Sequence, residues 1–272
     1  MGTPGPAIAV TLDPGMYLSS LSQSVDAHLG ALRASLRSLE DGSFKTKAAT
    51  PRPGAFLRFS FDLTAPPAIA ASQLCNRCFV SIVGELVTFL DRMIAFKRLA
   101  SQQLTTPNDV ATADDVLQFV QRRLDDEYTA VARDTNLTNP KKVAFFPGIA
   151  DIARDASLSY FAVRRCLEHH GGRPAEELTL RYGRLKLLSG DMEFTQAGQS
   201  GLPGVGISLG MDHSTRVIPP GAAVALTEEE LEHIVFTIKC LIGPEVRRVL
   251  QEATAPPATP EATQPQDARA GE

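Results

Sequence analysis

The sequence predicts a mainly α-helical protein with a small β-rich insertion before its last helix. Long stretches carry apolar residues every three or four positions, the period of an amphipathic helix. Thr112 and Asp115, and likewise Thr227 and Glu230, have the spacing of capping boxes that open helices. Residues 178–226 instead contain alternating apolar runs separated by Gly and Pro, which is typical of short strands and turns. With 272 residues, 43% of them hydrophobic, the chain can bury a sizeable core.

The first half of the chain predicts two long helices joined by an extended segment. Apolar residues spaced by three or four run from Leu18 to Leu39, and Asp41-Gly42 is a C-terminal stop signal. Residues 51–67 alternate Phe and Leu with polar residues between prolines, which favours a short strand or an extended linker. The helical period returns at Ile69 and continues to about Leu99.

The second half predicts shorter helices around the insertion. The capping box at Thr112 opens a helix that reaches Val131, and residues 141–155 predict one short helix, interrupted or started by Pro147. Ser157 is a predicted N-cap for the helix SLSYFAVRRCLEHH, which Gly171-Gly172 and Pro174 would end. The last helix opens at Thr227 and is kinked or broken by Pro244.

Composition predicts one helical domain with disordered ends. Residues 1–15 are rich in Gly and Pro, and residues 253–272 lack the apolar content needed to offset ordering entropy. Between them we expect an N-terminal helix and linker at 16–68 and a helical domain at 69–252, with the β-rich insertion at about 178–226. The net charge of −4 indicates no global affinity for nucleic acid. Because no apolar run is long enough for a membrane span, we expect a cytoplasmic protein without a membrane partner.

The pair Cys75-Asn76-Arg77-Cys78 has the spacing of a zinc knuckle or a redox pair. Zinc sites normally need four ligands, and no second CxxC or HxxxH is present. The pair also lies within a strongly periodic helix, where cysteine acts as a small hydrophobe. We therefore interpret it as structural and predict no metal or cofactor.

The stretch VRRCLEHHGGRP, residues 163–174, is the strongest candidate site. Arg165 and His169 are four apart and share a helix face, whereas Arg164 and His169 are five apart, about 140° around an ideal helix. The alternative is a surface pair between Arg164 and Glu168, with cationic groups favoured at a helix C-terminus. Residues 164–186 hold six basic and three acidic side chains, which suits phosphate. The basic residues are Arg164, Arg165, Arg173, Arg181, Arg184 and Lys186.

The motif RRCLEHHGG, placed late in a helical arrangement and followed by a capped helix, resembles the signature of the HEPN superfamily. The resemblance implies an antiparallel helical bundle that dimerises so that two motifs meet in a cleft. Active members are metal-independent endoribonucleases of toxin, defence and RNA-processing systems, so it also implies RNA as substrate and an antitoxin or regulatory partner. His169 would be the general acid or base and Arg164 the phosphate brace, with Arg165, Glu168 and His170 supporting them. Arg173, Arg181, Arg184 and Lys186 would contact RNA phosphates.

The resemblance has a second implication. The family usually places Asn, Asp or His directly after the arginine, whereas this chain has Arg165. Some members are inactive scaffolds, so the alternative function is a HEPN-like module that dimerises or binds RNA or protein without catalysis.

Overall fold

The computed structural model describes residues 13–42, 66–102, 112–187 and 209–254, and the chain is mainly helical, as predicted. Its elements in chain order are α1 (Gly15–Glu40), α2 (Pro67–Ala100), α3 (Ala113–Arg133), α4 (Asn139–Ala144), α5 (Asp151–His169), β1 (Leu178–Leu187), β2 (Leu209–Ile218), α6 (Glu228–Thr237), a π-helical turn (Ile238–Ile242) and α7 (Gly243–Thr254). Apart from Pro66 and Pro67, which begin α2, the strand or linker predicted at 51–67 lies outside the described residues, as does most of the disorder predicted at both ends.

The long helix α2 is the centre of the structure. Fifteen of its 34 residues are buried, and it contacts α1, α3, α4, α5, α6 and α7. Two of the largest buried side chains, Phe79 of α2 and Tyr160 of α5, pack edge to face with ring centroids 6.2 Å apart. This apolar contact holds α5 against the core and therefore fixes the position of the exposed face of α5. Within the described ranges, no helix has the length and apolar character that crossing a bilayer requires.

Both predicted capping boxes are present. The Thr112 hydroxyl accepts a hydrogen bond from the Asp115 N–H, and the Asp115 carboxylate accepts one from the Thr112 N–H. Thr227 and Glu230 make the same reciprocal pair at the start of α6. The predicted stop after α1 is also confirmed, with Gly42 at φ +70°.

The predicted start of α5 is wrong. The helix begins at Asp151, and Ser157 lies buried inside it, donating to the Ala153 carbonyl at 2.8 Å instead of capping. The N-cap residue is Ala150, whose N–H donates to the Glu245 carboxylate at 3.1 Å. Because that capping group lies 95 residues away in the chain, no local pattern could show it.

Residues 141–155 do not form the single short helix expected there, but the interruption predicted at Pro147 is present. Helix α4 covers Asn139–Ala144 and ends before Pro147, which lies in a turn with Gly148 at φ +94°. Phe146 and Ile149 are buried on either side of this turn and anchor it to the core. Pro147 therefore separates α4 from α5 rather than starting a helix.

The β-rich insertion contains an antiparallel pair of ten-residue strands. Leu178 lies opposite Ile218, and the register continues to Leu187 opposite Leu209. The sheet packs on α5 and α6 through β1. The interruption predicted near Pro244 is the π-helical turn, where the Gly243 N–H donates to the Ile238 carbonyl five residues back. Proline has no N–H to continue the α-helical ladder, which places the change of pitch directly before it.

Both cysteines of the pair in α2 are buried among the core residues of the helix. Burial raises the pKa of the Cys75 thiol to about 11 and that of Cys78 to about 12. Between them, the Asn76 amide donates to the Val224 carbonyl at 2.7 Å and accepts from the Leu226 N–H at 3.1 Å. Asn76 thus fastens the segment before α6 to α2.

Candidate functional site

The last two turns of α5 present the motif residues on a helix that is anchored from its other side. Ala153, Ala156, Tyr160 and Val163 are fully or nearly fully buried. Their spacing of three and four residues sets one face of α5 against the core. Arg165 and His169 lie on the exposed part of the helix, while Arg164 and Glu168 are half-buried at its border.

Two glycines end α5 as predicted. Gly171 and Gly172 have φ of +57° and +71°, and the N–H groups of His170 and Gly172 both donate to the Cys166 carbonyl. The chain is then held in place because the Gly172 carbonyl accepts from the Val224 N–H at 2.8 Å. The histidines therefore lie at a fixed helix end.

A groove of about 780 Å³ runs along this part of α5. We call it the α5 groove; its other walls are residues 138–140 at the start of α4 and residues 174–178, which lead into β1. Phe161, Leu158 and Pro140 make part of the lining apolar. Five predicted site residues come together in it: Arg164, Arg165, Glu168, His169 and His170.

The two arginines have different environments. Arg164 donates from Nε to the Glu168 carboxylate at 3.0 Å, and these side chains are 24% and 18% exposed. The Arg164 guanidinium also lies close to α2: its Nη1 is 3.7 Å from the position that a Cβ would occupy on Gly84. The surface pair considered from the sequence is therefore present, and it occupies Arg164.

Arg165 is the freer of the two. It is exposed, it lines the α5 groove, and within the described part of the chain its guanidinium makes no hydrogen bond or ion pair. Helix α5 is regular as far as His169. Arg165 and His169 are therefore about 40° apart around the axis, whereas Arg164 and His169 are about 140° apart. On one chain, Arg165 is the arginine that shares a face with His169.

Three of the other predicted phosphate contacts, Arg173, Arg181 and Arg184, lie outside the α5 groove lining. Arg173 donates to the Gly221 carbonyl at 2.9 Å, Arg181 pairs with Asp155 at 2.7 Å, and Arg184 lies 3.7 Å from Glu229. Lys186 is in β1, and its side chain is outside what the structure describes. The carboxylates of Glu168, Asp155 and Glu229 therefore offset much of the basic excess counted from the sequence.

Sequence reasoning missed the wall of the groove formed by Thr138, Asn139 and Pro140. These residues precede the motif by more than 20 positions and carry no periodic signal that links them to α5. Asn139 is half-buried there, and its side-chain amide has no hydrogen-bond partner among the described residues. Across those same residues, no group of three or more His, Cys, Asp or Glu side chains is arranged to hold a metal ion.

In comparisons with known proteins, no protein-family model, no curated protein and no solved structure matches the chain.

Proposed function

We propose that the α5 groove binds RNA and cleaves it without a metal ion, in a HEPN-like helical bundle. The observation that carries this proposal is the pairing of Arg165 and His169 on one exposed helix face. Both line the groove, and within the described residues neither side chain is tied to a carboxylate. A permanent cation beside an imidazole, which can accept or donate a proton, suits chemistry at a phosphodiester.

The reaction proposed is attack of a ribose 2′-hydroxyl on the adjacent phosphorus. One histidine accepts the hydroxyl proton as the O2′–P bond forms, and the leaving 5′-oxygen takes a proton from a protonated histidine as the P–O5′ bond breaks. The products are a 2′,3′-cyclic phosphate and a 5′-hydroxyl. His169 has one of these roles, and His170, which also lines the groove, or the His169 of a second copy has the other.

We assign the phosphate brace to Arg165 rather than to Arg164. A planar guanidinium with free donors can hold two phosphate oxygens as charge develops on them. The donor at Arg164 Nε is already bound to Glu168. Arg164 and Glu168 then act as positioning residues that hold the last turn of α5 against α2.

The resemblance to the HEPN signature motivates the remaining parts of the proposal. In a homodimer, two α5 grooves would meet in one cleft. If the protein acts as a toxin or in defence, an antitoxin or other regulatory protein would be its partner. RNA affinity should fall steeply with salt, because phosphate contacts release counterions.

A cleavage assay on total RNA with EDTA present tests the proposal. We expect wild type to leave 2′,3′-cyclic phosphate ends, and His169→Ala and Arg165→Ala each to lower the rate by about 100-fold or more. Both side chains are exposed, so neither variant should change the melting temperature. Arg122→Ala is the matched control, an exposed arginine of α3 that does not line the groove. Equal rates in wild type and both groove variants would refute the assignment.

A second candidate is a non-catalytic module that binds RNA or protein through the same surface. The Arg164–Glu168 ion pair favours it, because the arginine of the HEPN-like motif is already neutralised. It predicts salt-dependent RNA binding that survives His169→Ala, with no turnover at any enzyme concentration.

A further inference from the structure

A second pocket, of about 280 Å³, lies where α1, α2 and α3 meet, and it shares no lining residue with the α5 groove. Arg92 of α2 lies in it between two tyrosines. Its guanidinium carbon is 5.6 Å from the ring centroid of Tyr17 in α1 and 5.7 Å from that of Tyr128 in α3. We call it the Arg92 pocket.

Two tyrosine rings, rather than hydrogen bonds from the described residues, hold the guanidinium of Arg92. Each tyrosine ring attracts the cation through its electron-rich face, and together the two rings restrict where the group can lie. Within the described ranges Arg92 makes no hydrogen bond and no ion pair with the protein. None of its five N–H donors is therefore used by the described residues, which leaves them for another acceptor.

The rest of the lining indicates what kind of acceptor fits. Met16 and Leu124 supply apolar surface, and Met16 is 64% exposed. Burial raises the pKa of the Tyr17 hydroxyl, an effect that nearby Arg92 opposes and Asp125 reinforces, so this group is a neutral donor at pH 7. Among the described lining residues only Asp125 is acidic, and its carboxylate accepts from the Gln121 amide at 3.0 Å. The pocket thus combines a preorganised cation with one carboxylate that weakens the attraction of anions.

We propose that the Arg92 pocket binds the oxyanion group of a small molecule, a phosphate or a carboxylate. The guanidinium edge matches two oxygens of such a group at once. Its volume, near the lower end for small-molecule sites at roughly 300 Å³, suits a single charged group with a short apolar part and excludes a large cofactor. The site is independent of the proposed ribonuclease activity.

Titration with sodium phosphate and, separately, sodium acetate tests the proposal on the full chain at constant low ionic strength. The probe is the Arg92 Nε–H resonance in the proton–nitrogen NMR spectrum, with the melting temperature as a second readout. We expect the Arg92 resonance to shift saturably with at least one of the two anions. The anion that produces this shift shows whether the pocket prefers a phosphate or a carboxylate. Lysine keeps the positive charge but lacks the planar pair of donors that binds two oxygens at once. Arg92→Lys should therefore weaken anion binding about tenfold, measured as a smaller rise in melting temperature at each anion concentration.

Two further variants keep the result interpretable if Arg92→Lys loses stability. Asp125→Asn removes the repelling charge from an exposed position and should tighten anion binding by about twofold to fivefold. Arg122→Lys changes an exposed arginine of α3 outside the pocket and should leave affinity unchanged. No saturable response to either anion, or equal affinity in wild type and Asp125→Asn, would overturn the proposal.

Discussion

Lys142 Nζ lies 2.6 Å from Asp91 Oδ1, and the two side chains are only 8% and 6% exposed. This ion pair joins α4 to α2, and α4 begins at the wall of the α5 groove. Burial raises the pKa of the Asp91 carboxyl, an effect that the Lys142 ammonium opposes. The position of that wall therefore depends on two charges that are costly to bury singly.

Removal of one partner of this pair should be strongly destabilising. Asp91→Asn keeps the shape of the side chain but leaves the ammonium buried without a counter-charge, so we expect a loss of about 3–5 kcal/mol in the free energy of unfolding. Lys142→Met should cost a similar amount. Urea unfolding at pH 7 measures both, with Lys141→Met, an exposed neighbour, as control.

The double variant Asp91→Leu/Lys142→Met separates charge from packing. Since two apolar side chains of similar size carry no desolvation cost, it should be more stable than either single variant. Strictly additive losses would show that the ion pair is not the source of the effect.

The carboxylate of Glu245 should make the capping of α5 depend on pH. Hydrogen bonding from Arg248, helped by the Ala150 N–H, lowers the pKa of Glu245 below its ordinary value. A carboxyl group whose pKa is lower in the folded than in the unfolded protein stabilises the fold at pH values above its unfolded-state pKa. This stabilisation is lost as the pH falls through the folded-state pKa. Glu245→Gln should therefore cost up to about 1 kcal/mol at pH 7 and progressively less below about pH 4.5.

Chemical denaturation of both proteins from pH 7 to pH 3 measures this dependence. Glu252→Gln is the control, because Glu252 pairs with the same Arg248 but is 62% exposed and makes no bond to the start of α5. A difference between wild type and Glu245→Gln that stays constant over this range would contradict the role given to the charge.

Local signals predicted the parts of this fold that local contacts build. The capping boxes at Thr112 and Thr227 need only residues three positions apart, and both are present. The start of α5 failed as a prediction because Glu245 caps it from α7. Likewise, neither the Asn139 wall nor the freedom of Arg165 relative to Arg164 follows from spacing alone. They depend on how α4 and α2 pack against α5.

The four cysteines should differ sharply in reactivity. Cys75, Cys78 and Cys166 are buried and burial raises the pKa of each thiol, whereas Cys240 is exposed in the π-helical turn. The rate of modification depends on the fraction of thiolate and on how accessible the sulfur is. A disulfide reagent at pH 8 should therefore modify Cys240 quickly and the three buried thiols only on unfolding. Cys240→Ser should remove the fast phase, and a fast phase that persists in this variant would refute the assignment.

The glycine at the end of α5 should be intolerant of a side chain. Gly172 has φ of +71°, and a Cβ there would lie 3.3 Å from Leu167 Cδ2. Gly172→Ala should therefore lower the free energy of unfolding by about 1–2 kcal/mol, mostly because alanine is strained in the left-handed backbone conformation.

Gly30→Ala is the matched substitution: this glycine lies in the interior of α1, is exposed, and has no atom within 4 Å of an added Cβ. It should stabilise by up to about 1 kcal/mol through helix propensity. Melting temperatures that move in opposite directions support the geometry of the α5 terminus, and a neutral Gly172→Ala would show that the motif histidines are not held by this turn.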